Sequence, residues 1–193
     1  KALQKAKKII AQSPKNYYDK EANLLAAQCL FEDKEYTKAI PYFEYYYNNV
    51  DKIRKQDVFK MAYSYYATNQ YSKAIEPFKQ LSTVQDEMGQ TAMYYLGDCY
   101  LKTEDKKSAK NAWSISADMP YNSEIISASL LLSGKLALQM GYSSEGSIQL
   151  NKLLTEYPNS GFGSEATNIL SEQLLKSNNY SEAYKLLSKS ASP

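Results

Sequence analysis

The side chains of this 193-residue chain that are best suited to chemistry are two cysteines, Cys29 and Cys99, and three adjacent acidic pairs, Glu32-Asp33, Asp86-Glu87 and Glu104-Asp105. A thiol acts as a nucleophile when a neighbouring base or cation draws off its proton, and histidine is the commonest such base and the commonest metal ligand. This chain has no histidine. Paired carboxylates work as acid and base where an apolar pocket keeps one of them protonated. These pairs fall where helices end or turn, positions in which carboxylates stay solvated and favour the start of the next helix. The seven glycines form no phosphate-cradling loop. The sequence therefore predicts no catalytic residue, no metal site and no cofactor, and the chain is read as a non-enzyme.

Charge narrows the partners. The 23 basic residues include one arginine, Arg54, against 21 acidic residues, for a net charge of +2. Nucleic-acid readers lean on arginine forks and gather positive charge on one face, whereas here lysines alternate with Asp and Glu throughout, so no nucleic-acid partner is expected. The longest aliphatic run, at Leu130, Leu131 and Leu132, is far short of the roughly 20 residues that cross a bilayer, and no membrane span is expected. With 44% hydrophobic residues the chain has the composition of a folded protein. It is rich in Ala, Leu, Lys, Glu and Gln, which lose little freedom in helices, and an all-α fold follows.

Positioning comes from a repeat. Tyr36-Thr37-Lys38-Ala39-Ile40, Tyr71-Ser72-Lys73-Ala74-Ile75 and Tyr180-Ser181-Glu182-Ala183 resemble one another, and the frame they set places small residues at Ala2, Ala39, Ala74, Ala109, Gly146 and Ala183, separated by 37, 35, 35, 37 and 37 residues. Twelve residues before each of the last five lies a second small residue: Ala27, Ala62, Gly97, Gly134 and Ser171. A constant interval with variable spacing between units describes helix hairpins in which two small residues face each other and let the backbones approach to about 8 Å. Apolar residues at helical spacing complete the core: Leu30, Tyr65, Tyr100, Ala137 and Leu174 on first helices, and Phe43, Phe78, Trp113, Leu150 and Leu187 on second helices. Pro14, Pro120 and Pro158 mark helix ends. Asp51 and Asp86 are placed to cap the helices that follow, and Asn179 with Glu182 reads as a capping box in preference to a glycosylation acceptor. Eleven helices are predicted, at roughly 1–12, 17–31, 36–48, 55–68, 71–82, 90–102, 106–117, 123–140, 143–156, 162–176 and 180–190.

The pattern resembles the tetratricopeptide repeat, and its best copy runs from Leu96, Gly97 and Tyr100 to Ala109 and Trp113. Copies four and five are looser, with Ser133 and Thr167 where the family prefers large apolar residues. The resemblance implies an α-solenoid of antiparallel hairpins over 1–193 coiled into a right-handed superhelix, with a half repeat at 1–16 and repeats at about 17–54, 55–89, 90–122, 123–159 and 160–193. The first helix lacks a hairpin partner and leaves Ala2, Ala6 and Ile9 as an unmated stripe, so the chain is expected to be part of a longer array. Cys29 and Cys99 occupy the same place two hairpins apart, about 20 Å if each layer adds about 10 Å, which precludes a disulfide between them.

In proteins that the chain resembles, the concave wall comes from the first helix of each hairpin. The corresponding positions here are Leu24, Gln28 and Phe31; Phe59, Tyr63 and Tyr66; Tyr94, Asp98 and Leu101; Leu131, Lys135 and Leu138; and Asn168, Glu172 and Leu175. The middle of that wall is aromatic, and the peptide-binding groove is assigned to Phe59, Tyr63, Tyr66, Tyr94, Asp98 and Leu101. Lys135 and Asn168 alone do not make a carboxylate clamp. Tyr42, Tyr45, Tyr46 and Tyr47 crowd the opposite side, as packing or as a second surface. The expected function is a protein-interaction module that binds a partner's peptide or helix within a larger scaffold. The alternative is a structural spacer, or a solenoid that forms a weak homodimer through its ends. The lysine-, asparagine- and tyrosine-rich composition resembles repeat proteins of the bacterial cell envelope, especially from Bacteroides-like organisms, which favours a periplasmic or envelope location over a cytoplasmic one.

Overall fold

The computed structural model describes residues 1–12 and 18–190. Within them the chain is all-α, with eleven helices and no strand: α1 (Ala2–Gln12), α2 (Asp19–Glu32), α3 (Tyr36–Asn49), α4 (Lys55–Ala67), α5 (Tyr71–Gln80), α6 (Glu87–Lys102), α7 (Lys106–Asp118), α8 (Ser123–Gln139), α9 (Ser143–Glu156), α10 (Gly163–Lys176) and α11 (Tyr180–Ser190). They form two compact units, Lys1–Thr83 and Val84–Pro193. In the first, α2 packs on α3, α4 packs on α5, and α1 lies against α2; in the second, α6 and α7, α8 and α9, and α10 and α11 pair in the same way.

Every second small residue of the frame is at the helix contact it was expected to make. Ala27, Ala39, Ala62, Ala74 and Ala109 are fully buried, Ala183 and Ser171 nearly so, and Gly97, Gly134 and Gly146 are buried. The three glycines mark the closest approaches. A Cβ on Gly97 would stand 2.5 Å from the Trp113 ring, one on Gly134 2.8 Å from Leu150 Cγ, and one on Gly146 2.8 Å from the Gly134 carbonyl oxygen. Ala2 is exposed, but Ala6 is fully buried. Leu187 departs from the expected core. It stands 41% exposed, whereas its counterparts Phe43, Phe78, Trp113 and Leu150 are at most 2% exposed, because no described helix packs over that side of α11.

Each hairpin turns through the same device. Lys34, Asn69, Glu104, Gly141 and Asn178 all take positive φ. Around each, the backbone N–H of the left-handed residue and that of the next one bond back to the preceding helix, as in Lys34 N to Phe31 O (2.9 Å) with Glu35 N to Leu30 O (2.8 Å), repeated at Gly141 and Tyr142. This double closure satisfies carbonyls left over at the helix end.

Helix starts differ in part from expectation. Asp86 caps α6 through Gly89 N at 2.9 Å, which moves that helix start ahead of the predicted residue 90. Asp51 caps nothing: Arg54, extended and without a side-chain cap, precedes α4. Asn179 Oδ1 accepts from Glu182 N at 3.5 Å, and Glu182 binds the Asn179 side-chain amide at 2.7 Å instead of its backbone N–H. Pro120 and Pro158 follow α7 and α9; Pro14 lies outside the described residues. Ser133 and Thr167 are buried despite their polarity, and the Ser133 hydroxyl donates to Leu130 O at 3.3 Å.

Size matching at the helix contact is directly testable. Gly97→Ala forces a methyl into the Trp113 ring and is expected to destabilise the second unit by about 1–3 kcal/mol in urea denaturation. Trp113→Phe, which reproduces the alanine–phenylalanine pairing of the first unit, should cost less in the Gly97→Ala background than in the wild type. Additive costs would show that the contact is not the constraint.

Candidate functional site

Helix α4 has two apolar faces. Val58, Met61, Ala62 and Tyr65 are buried, and they supply the core. Phe59, Tyr63 and Tyr66 follow one another at i, i+4 and i+7 on another face and are half-buried. Phe59 stacks on Tyr63, with centroids 6.4 Å apart and planes 13° from parallel, and Tyr63 lies 6.0 Å from Tyr66. Neighbouring elements extend the row. Tyr63 meets Phe31 of α2 at 6.0 Å and Tyr36 of α3 at 5.5 Å, Tyr66 meets Tyr71 of α5 at 5.8 Å, and Phe59 sets its ring at 70° to the buried Phe78. Such edge-on contacts each contribute about 0.5–1.5 kcal/mol beyond area burial. Lys60 Nζ stands 5.3 Å over Phe31 while pairing with Glu32 at 2.6 Å. Burial, then Tyr63 and Glu32, raise the Tyr36 hydroxyl above its ordinary pKa.

Tyr94, Asp98 and Leu101 have the same spacing on α6, in the second unit. Tyr94 and Leu101 pack against the buried cluster of Ala109, Trp113 and Leu136, and the Tyr94 carbonyl accepts the Trp113 indole N–H at 3.0 Å. Burial, then the Asp98 charge, push the Tyr94 hydroxyl up. The six expected groove residues thus form two sets, one on each unit: an aromatic row on α4, and on α6 a mixed set two of whose members also serve the core.

Other expected wall positions are divided. Lys135 and Leu138 of α8 and Glu172 of α10 share a recess of about 240 Å³, with Lys135 paired to Glu165 at 2.7 Å. Leu131 is not on a wall. It is 4% exposed within the core cluster that includes Leu130, Leu150 and Leu170, because α8 is apolar enough to be buried on more than one side. Gln28 Nε2 donates to Asp57 at 2.7 Å. On the opposite side the tyrosines of α3 tie it to other helices: Tyr45 donates to Asp19, and Tyr47 accepts from Gln80 at 2.6 Å.

Residues 1–54 and 59–113 match the tetratricopeptide repeat family, together more than half of the sequence. The chain belongs to the tetratricopeptide repeat family. The matched segments end at Trp113, ahead of the hairpins carrying Ser133 and Thr167. Solved tetratricopeptide structures share the fold. YrrB, described as a TPR protein with an unusual peptide-binding site, is 16% identical with a TM-score of 0.70, covering 97% of this chain and 91% of its own. MamA is 18% identical with a TM-score of 0.68 over 84% of this chain and 91% of its own. A putative kinesin light chain of Podosopora anserina with nearly identical TPR-like repeats is 14% identical, with a TM-score of 0.60 over 90% of this chain and 94% of its own. No curated protein matches the sequence. Tetratricopeptide repeat proteins are in general protein-interaction modules and not enzymes, and this chain is an interaction module on that ground.

Sequence reasoning missed the polar joints between repeats. Gln90 of α6 is fully buried; its amide donates to Ser116 O at 3.0 Å and Met119 O at 2.5 Å, and its oxygen accepts Asn122 N at 2.8 Å, which pins the α7–α8 connection. Asp57, 2% exposed, takes Arg54 at 2.7 Å, so the single arginine is spent on structure. Tyr65 donates to Glu44 at 2.7 Å, and burial, followed by that bond, raises its pKa. Nothing in their spacing distinguishes these residues from surface polar ones. Among the described residues no group of three or more His, Cys, Asp or Glu is arranged to hold a metal, and no helix is long and apolar enough to cross a membrane.

Both cysteines are free, Cys29 half-buried and Cys99 buried. Burial, then Asp98, push the Cys99 thiol up to about 12, so at pH 8 it stays in the unreactive thiol form. Iodoacetamide at pH 8 should alkylate Cys29 well before Cys99, with Cys99 reacting only in denaturant. Peptide mass mapping showing equal native labelling would contradict this burial.

Proposed function

We propose that this tetratricopeptide repeat chain receives an extended or helical peptide of a partner protein on its first-helix faces, with Phe59, Tyr63 and Tyr66 as the principal contacts and Tyr94, Asp98 and Leu101 as a second set. The observation that carries the reading is the aromatic row on α4. The core of that hairpin is already supplied by Val58, Met61, Ala62 and Tyr65, so Phe59, Tyr63 and Tyr66 are additional large rings held half-buried in fixed mutual contact. Tyrosine presents wide contact area with few rotatable bonds and a polar tip, the profile of a binding hot spot. The paired state of Lys60 and Lys135 argues for an apolar or aromatic ligand over one anchored by its carboxylate.

Peptides selected from a random phage-displayed library on the wild-type chain should lose about tenfold or more affinity for Phe59→Ala/Tyr63→Ala, with circular dichroism showing retained helix. Peptides that bind this variant as well as wild type would refute the assignment.

Self-association within a scaffold is the second reading, favoured by the exposure of Tyr180 at 63%, Tyr184 at 75% and Leu187 at 41% on α11. On this reading sedimentation velocity shows a concentration-dependent dimer that Tyr184→Lys/Leu187→Lys abolishes. A monomer throughout the micromolar range would eliminate it.

A further inference from the structure

The second helices of consecutive hairpins are separated by a groove that side chains must span. In each unit one residue just before a small anchor reaches back across it. In the first unit Lys73 of α5 pairs with Glu44 of α3 at 3.4 Å and lies 5.5 Å over the Tyr65 ring. In the second unit Glu145 of α9 pairs with Lys110 of α7, whose side chain is 11% exposed and whose Nζ lies 5.5 Å over the Tyr142 ring. Lys110 directly follows its anchor Ala109, and Glu145 directly precedes Gly146.

The same register recurs between α9 and α11 with one half absent. Glu182 precedes the anchor Ala183, as Glu145 precedes Gly146, but the residue that follows Gly146 is Ser147, where α7 has Lys110. Serine is too short to cross. Asn151, one turn further on, donates back to Ser147 O at 2.9 Å on its own helix. A cavity of about 570 Å³ lies here, with Leu170, Leu174 and Leu186 and the polar Ser147, Glu182 and Lys185 among its lining. Glu182 takes the Asn179 amide on one oxygen at 2.7 Å and forms no ion pair with Lys185 among the described residues.

We propose that this groove is a socket for a partner's lysine side chain, which lays its aliphatic stem on Leu170, Leu174 and Leu186 and brings its ammonium to Glu182, supplying from outside what Lys110 supplies internally to Glu145. An apolar floor beside a carboxylate matches the amphipathic character of lysine; Lys185 also lines the groove, and the selection of a cation rests on Glu182, which it leaves without an ion pair. The site combines the second helices α9 and α11 with a floor from α10, and it uses none of the residues assigned to the peptide.

The probe is n-hexylammonium, an alkylammonium two carbons longer than the lysine side chain, with hexanoate as the charge-reversed control. In methyl NMR titrations, hexylammonium should shift Leu170, Leu174 and Leu186 saturably and hexanoate should not. Glu182→Gln, which keeps an oxygen for Asn179, should weaken binding by about fivefold. Ser147→Lys should restore the internal bridge and abolish the shifts in a chain that remains folded by circular dichroism. Equal shifts from hexanoate, unchanged binding in E182Q, or persistent binding in S147K would each overturn the proposal.

Discussion

The constraint on which each hairpin depends is the close approach of two helix backbones at a pair of small residues. Where a Cβ on Gly97 would stand 2.5 Å from the Trp113 ring, the helix separation and the size of the opposing side chain are a single quantity. The first unit reaches the same end with alanine opposite phenylalanine, at Ala27 with Phe43 and Ala62 with Phe78, all nearly inaccessible to solvent. The second uses glycine opposite the larger tryptophan. Close packing penalises both a void and an overlap, so the partners must change together.

Once the helices are that close, the connections have little freedom. Five turns use one left-handed residue at the same place, and only one of the five is glycine. Lys34 and Glu104 hold a conformation that costs an ordinary side chain about 1–2 kcal/mol, offset by two backbone hydrogen bonds and by the packing that the turn permits. Polar side chains then lock one hairpin to the next. Gln90 satisfies three backbone groups at the α7–α8 connection, and a buried group left unpaired there would cost about 1–3 kcal/mol.

These locks determine which surfaces remain to meet a partner. On the second helices, Glu44 pairs with Lys73 and Lys110 with Glu145 across neighbouring helices, and Ser147 lines a cavity at the corresponding place between α9 and α11. On the first helices, the aromatic row of α4 is held by rings from α2, α3 and α5. Its orientation is therefore set by the fold, which on the proposed reading limits the entropy lost when a peptide binds.

The amino-acid order alone determined the helices, their pairing and the contact residues, because small side chains at a constant interval of twelve and apolar side chains at helical spacing are local, periodic signals. It also placed Phe59, Tyr63 and Tyr66 on one face, since i, i+4 and i+7 share a face in any helix. Tertiary structure decided the rest. That Leu131 is core and not wall, that Asp51 caps nothing, that Leu187 is uncovered, and that Tyr94 and Leu101 share their faces with the Trp113 cluster all depend on which neighbouring helix covers a given side. The roles of Gln90 and Lys110 are of the same kind. Hydrogen bonds and ion pairs between helices join residues some thirty positions apart, and their formation rests on side-chain reach across a packed interface, which periodicity along the chain does not encode.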